Sequence, residues 1–201
     1  MDLKQTVAPT VEPLSLAEAK AHLRVDITDD EDLITDLIKG ARELAEVATN
    51  RQFLDATWQL KLDSFPVAGK PGLVIDADGS IRLPRAPVLT ATQVAITYID
   101  SAGASQTLAT TVYGVDLASE PGRVYLLYNQ TWPATRGQKR AVTITYHAGY
   151  GTTSASVPET ARNLVRLMVG DAYENRETMN GKQMPMNPTV QRLISALRVP
   201  L

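Results

Sequence analysis

Two histidines occur in the sequence, His22 and His147, and only the second sits where chemistry is commonly done. It lies in ITYHAGYGTTSASVPETAR, at the end of an alternating, strand-like run and just ahead of Gly149 and Gly151. A histidine in a glycine-rich loop after a strand can serve acid–base or phosphate chemistry. The necessary partners are not spaced for it. No Gly-x-Ser-x-Gly elbow presents a nucleophile, and nothing next to Ser154 or Ser156 in the sequence would activate them. HAGYG matches neither the dinucleotide-binding fingerprint nor the phosphate loop. His147 therefore reads as a strand-end residue.

Metal chemistry meets the same obstacle. There is no His-x-x-x-His or Glu-x-x-His spacing and no cysteine, which removes thiolate sites and disulfides together. DADGS, from Asp76 to Ser80, matches the first positions of a calcium loop. The glutamate required at position 12 counted from Asp76 is instead Pro87, so a β-turn is expected. The basic cluster RGQKR, Arg136 to Arg140, is expected in a solvated loop. Tyr125, Tyr128, Trp132 and Tyr146 read as strand aromatics, with no RNA-binding motif around them. The residues predict no catalytic centre, metal site or cofactor.

The elements around these residues are well marked. Ser15 and Glu18 form a capping-box pattern that opens a short helix to about Leu23. TDDEDLITDLIKGARELAEVATNRQ repeats the pattern with Thr28 and Glu31. It places Asp29, Asp30 and Asp32 where the helix dipole favours acids. Leu33, Leu37, Leu44 and Ala48 make one expected stripe, with Ile34, Ile38, Ala41 and Ala45 beside it. After about Phe53 the period becomes two, in TWQLKLDSF, SIRLPRAPV, QVAITYID, TVYGVD, GRVYLLY and AVTITYHAGY. These runs predict short antiparallel strands in a small sandwich or open barrel. Pro158 restarts a helix with Ala161, Leu164, Val165, Met168, Ala172 and Tyr173 on one face. NGKQMPMNP interrupts it, and Val190, Leu193, Ile194 and Leu197 space a last amphipathic helix, suited to packing on its own core or docking on a partner.

The chain is 201 residues long, 44% hydrophobic and 21% charged, values of a globular domain with a proper core. No run of about 18 apolar residues predicts a membrane span, and no basic-then-apolar start predicts a secretory signal. The net charge of −2 is unevenly spread. Residues 1 to 50 carry 11 acidic and 5 basic groups, net −6; residues 51 to 155 and 156 to 201 are each +2. That distribution is not the clustered basic footprint of a nucleic-acid binder, and it is compatible with head-to-tail association of copies.

The order and wording of several segments resemble a known family. PLSLAEAKAHLRVD with DDEDLITDLIKGARELAEVATNRQF, then TWQLKLDSFP and IRLPRAPV, then YGVD, PGRVYLLYNQTWP and VTITYHAGYG with VPETARNLVRLMVGDAYENRE, are similar to head–tail connector (adaptor, head-completion) proteins of tailed bacteriophages. The likeness is to the long form, with a β-module inside a helical core, and to gene-transfer-agent adaptors. It runs from Pro13 to Glu177. It implies a non-enzymatic virion structural protein at the head–tail interface, assembled in the host cytoplasm. It further implies a ring of typically twelve copies beneath the portal, through which DNA passes without sequence-specific binding, with a stopper or tail component docking below. It also implies that the C-terminal segment grips the portal, which falls here on Val190, Leu193, Ile194 and Leu197.

The expected fold is α+β: helices of the core over 1–53, an inserted antiparallel β-module over 54–150, and helices with a docking tail over 151–201. The acidic start suggests that Asp29, Asp30, Asp32 and Asp36 line the channel, since an acidic or neutral lumen would let DNA slide rather than stick. Two rival readings remain at this level: a small-molecule enzyme using the His147 loop, and a monomeric protein-binding module.

Overall fold

The structure is a computed structural model that describes residues 1–175 and 187–200. The Met/Pro-containing link predicted after Glu177 lies almost wholly outside the described residues. The chain divides into a β unit and a helical unit, the first comprising Met1–Ala8, Asp55–Gly149 and the last residues from Val199. The second comprises Pro9–Leu54 and Tyr150–Arg198. The architecture is α+β, with two antiparallel sheets and four α-helices among the described residues.

In the helical unit, Ser15 caps α1 (Leu16–Leu23): its Oγ accepts from the Glu18 backbone N–H at 3.2 Å. Glu18 Oε2 accepts in return from the Ser15 N–H at 2.9 Å. Arg24 closes α1 and Asn50 closes α2 (Glu31–Thr49), both in left-handed conformation. The second capping box does not form. Asp30 is the N-cap of α2 without a side-chain cap, and Glu31 instead pairs with Lys20 at 2.5 Å. The buried stripe of α2 is also rotated from the expected one: Ile34, Ile38, Ala41 and Ala45 face the core, whereas Leu44 is 63% exposed. Apolar residues cover more than one face of this helix, and its packing with α1, α3 (Glu159–Glu174) and α4 (Pro188–Leu197) decides which face is buried.

Two charged networks fasten this unit. Arg42, 3% exposed, donates to Glu12 at 2.7 Å and to Glu46 at 2.9 Å. The other oxygen of Glu46 accepts from the Gln52 amide and the Phe53 N–H, so removing Glu46 would take three hydrogen bonds out of a buried network. Burial works against the Arg42 charge, but the two carboxylates more than offset it and its pKa is raised. On α3, Arg162 reaches the Pro13 carbonyl, Glu18 and Glu159.

In the β unit, β1 (Asp2–Val7), β2 (Ala56–Leu62), β8 (Val142–Ala148), β4 (Ala95–Ile99) and β5 (Ser105–Thr107) form a five-stranded sheet in that order. A three-stranded sheet orders β3 (Ile81–Arg82), β7 (Arg123–Leu126) and β6 (Tyr113–Asp116). Leu60 opposes Ile144 and Leu62 opposes Val142, and these alternate residues share one core with Ile81, Val124 and Tyr113 of the other sheet. The first residues, expected with the helices over 1–53, instead supply edge strand β1 against β2. Most of its residues are polar or exposed, and its strand character comes from the partner.

Candidate interaction surfaces

His147 is the next-to-last residue of strand β8, opposite Thr57. Its Nδ1 lies 2.8 Å from Asp55 Oδ1 and its Nε2 lies 3.4 Å from the Thr57 hydroxyl. Both ring nitrogens are thereby engaged across the β2–β8 pair, as suits a strand-end residue. Ser156 bonds Thr153, and a Cβ on Gly151 would come within 2.5 Å of the Ser156 hydroxyl. Gly149 takes φ +139°, which a side chain disfavours. The loop is built for chain reversal.

DADGS is a turn stabilised by its own side chains. Asp78 accepts from the Ser80 N–H at 2.9 Å, and the two bonds from Ser80 hold its carboxyl below the usual range. Asp76 faces Arg82 at 3.3 Å and Arg123 at 3.5 Å. Among the described residues no group of three His, Cys, Asp or Glu side chains is placed to hold a metal. Nor is any described helix long and apolar enough to cross a membrane.

The aromatic residues divide. Tyr146 is buried and donates to the Pro84 carbonyl, and Trp132 stacks on Phe65 with centroids 4.9 Å apart. Tyr125 and Tyr128 are exposed, the latter at 98%. The RGQKR loop is exposed as expected, with Arg140 reaching Asp2 at 3.0 Å.

The four acids assigned to a channel do not behave alike. Asp29, Asp32 and Asp36 are exposed, whereas Asp30 accepts from the Tyr173 hydroxyl at 2.5 Å and so ties α2 to α3. The four apolar residues assigned to docking lie against the helical core. Val190 and Leu197 are buried, Leu193 and Ile194 partly so, and the Leu197 carbonyl accepts from Arg51 at 2.5 Å. The outer face of α4 carries Gln191, Arg192 and Ser195.

An apolar groove of about 280 Å³ opens between α2, α3 and the start of α4, lined by Leu37, Gly40, Leu44, Met168, Ala172 and Val190. Asp36 and Asp171 stand among the residues that line it. Leu44 in its lining is 63% exposed, and Val47, three residues further along α2, is 60% exposed. The sequence signal for this surface was present as the surplus of apolar residues on α2, beyond what one buried stripe requires.

The model of the phage gp6-like head-tail connector family matches residues 13–126, and the chain belongs to that family. The family is one of structural connectors. No curated protein sequence matches the chain. Among solved structures, a chain from the neck of an empty gene transfer agent particle, computed with C6 symmetry, superposes with a TM-score of 0.77 at 23% identity. That alignment covers 99% of this chain and 96% of that one. A chain from the virion of the native gene transfer agent particle gives 0.76 at 22%, and one from the native neck, computed with C12 symmetry, gives 0.73 at 22%. The coverages are the same in both. The fold is thus that of neck proteins along essentially the whole chain.

Proposed function

We propose that this connector forms a ring, of twelve copies, beneath the portal of a tailed phage or phage-like particle. It extends the DNA channel there and presents the platform for a stopper or tail component. Membership of the head-tail connector family carries the reading. Its support is the fold shared along the whole chain with neck proteins of particles, one of them computed with C12 symmetry. A ring needs two different faces that fit each other, and the helical unit, with more acids than bases, and the mildly basic β unit supply unlike surfaces.

The channel is lined by Asp29, Asp32 and Asp36, with Asp30 fixing the end of α2 through Tyr173. The portal is gripped by α4. Its four apolar residues hold the helix on the core, and Gln191, Arg192 and Ser195 meet the portal. The work is mechanical, and no cofactor enters it. Cryo-electron microscopy of particles tests the assignment: density for this chain directly under the portal is expected, and intact particles without it there would overturn the reading.

A further inference from the structure

The groove between α2, α3 and α4 presents an apolar floor with two carboxylates, Asp36 and Asp171, and no basic side chain among its described lining residues. Gly40 leaves its floor open: a Cβ there would meet nothing within 4 Å. An occupant that fits offers aliphatic side chains and a positive charge together. One turn of the β unit has that character. Val67 and Leu73 are 57% and 66% exposed, and Lys70 between them is the only charged residue from Pro66 to Ile75. Tyr128 is more exposed, but its flanking residues, Leu127 and Asn129, carry no charge.

The turn is also preformed. The Lys70 N–H donates to the Val67 carbonyl at 3.1 Å, and the Gly69 N–H donates to Ala77 at 3.1 Å with φ +79° at Gly69. Arg82 donates to the Leu73 carbonyl at 2.9 Å. A turn held this way loses little freedom on docking.

We infer that the groove of one copy receives the Val67–Leu73 turn of a second copy, with Lys70 between Asp36 and Asp171. The inference rests on the ring reading and names the pair of unlike faces that such a ring requires.

The absence of cysteine permits a direct test. Gly40→Cys and Ala68→Cys, one in the groove and one in the turn, are combined in the full chain and treated with a short bismaleimide. A ladder of cross-linked multimers from the double variant, with none from either single variant, is the expected result. Dimers from a single variant would mean a symmetric contact and would overturn the inference. So would the lack of a ladder, as when a portal or stopper segment fills the groove. The mass of the untreated protein reports separately whether a ring forms, so a ring without the ladder removes this contact and leaves the ring reading standing. Lys70→Glu is expected to reduce the ladder at least about fivefold at low salt, and Asp171→Lys added to it to restore the yield. A yield unchanged by Lys70→Glu would overturn the charge pairing.

Discussion

Glu18 shows how one side chain of the capping box is fixed. Its carboxylate accepts from the Ser15 N–H and hydroxyl and is then approached by Arg162 of α3. The Ser15 backbone bond is the largest influence and the Ser15 hydroxyl the next; together with Arg162 they outweigh burial and hold the pKa at about 2, against an ordinary 4.5. A depressed folded pKa means stability that is present above the unfolded value and lost as pH falls through the folded one. Glu18→Gln is therefore expected to destabilise the protein at pH 7 by about 1 kcal/mol. The figure is modest because the group is partly exposed and solvent screens it. The difference from the parent should shrink between pH 4.5 and 2, and urea titrations at several pH values check it. A difference that stayed constant to pH 2 would assign the effect to packing alone. Ser15 and Glu18 were legible in the sequence because a capping box is a local pattern. Arg162, about 140 positions along the chain, and the pairing of Asp30 with Tyr173 were not, since tertiary packing alone brings them together.

At the scale of elements, the strands most readable in the sequence were those that alternate over one buried face, β2, β4 and β8. Strand β1 escaped because DLKQTV carries little apolar alternation and is an edge, where one neighbour defines it. The face of α2 that is buried was unreadable for a related reason: two adjacent apolar stripes compete and only the packed partners choose between them. Helix α4 was legible as amphipathic but not in what it covers. Its buried stripe makes a prediction with two arms. Leu197→Ala empties part of the helical core and is expected to cost about 2–4 kcal/mol, roughly 5–15 °C in melting temperature. Arg192→Glu, on the outer face, should leave the melting temperature unchanged and lower incorporation into particles. Scanning calorimetry reads the first arm and particle composition the second. Unchanged incorporation of Arg192→Glu would remove that face from portal docking.

For the whole molecule the proposed ring raises the question of how it would enclose DNA without holding it. Duplex DNA binds proteins chiefly by releasing counterions from phosphates neutralised by Lys and Arg, and the observed affinity falls with salt in proportion to that number. Residues 1 to 50 carry a net −6, and three exposed acids, Asp29, Asp32 and Asp36, mark the start of α2. A lumen formed there would present phosphates with more acids than bases, so under the proposed arrangement the DNA would be repelled at close range and guided rather than bound. Converting the three to lysine reverses three charges, a shift of +6 per copy that the proposed ring multiplies, while leaving the Asp30–Tyr173 bond in place. The triple variant is expected to retain duplex DNA at about 50 mM salt with a steep salt dependence, whereas the parent protein retains none. Particles carrying it should eject their DNA more slowly. Ejection followed by dye binding to released DNA, in parent and variant particles side by side, measures this. Equal ejection rates in variant particles that contain a full complement of the protein would mean that these acids face away from the passing DNA. The channel wall would then have to come from another part of the chain.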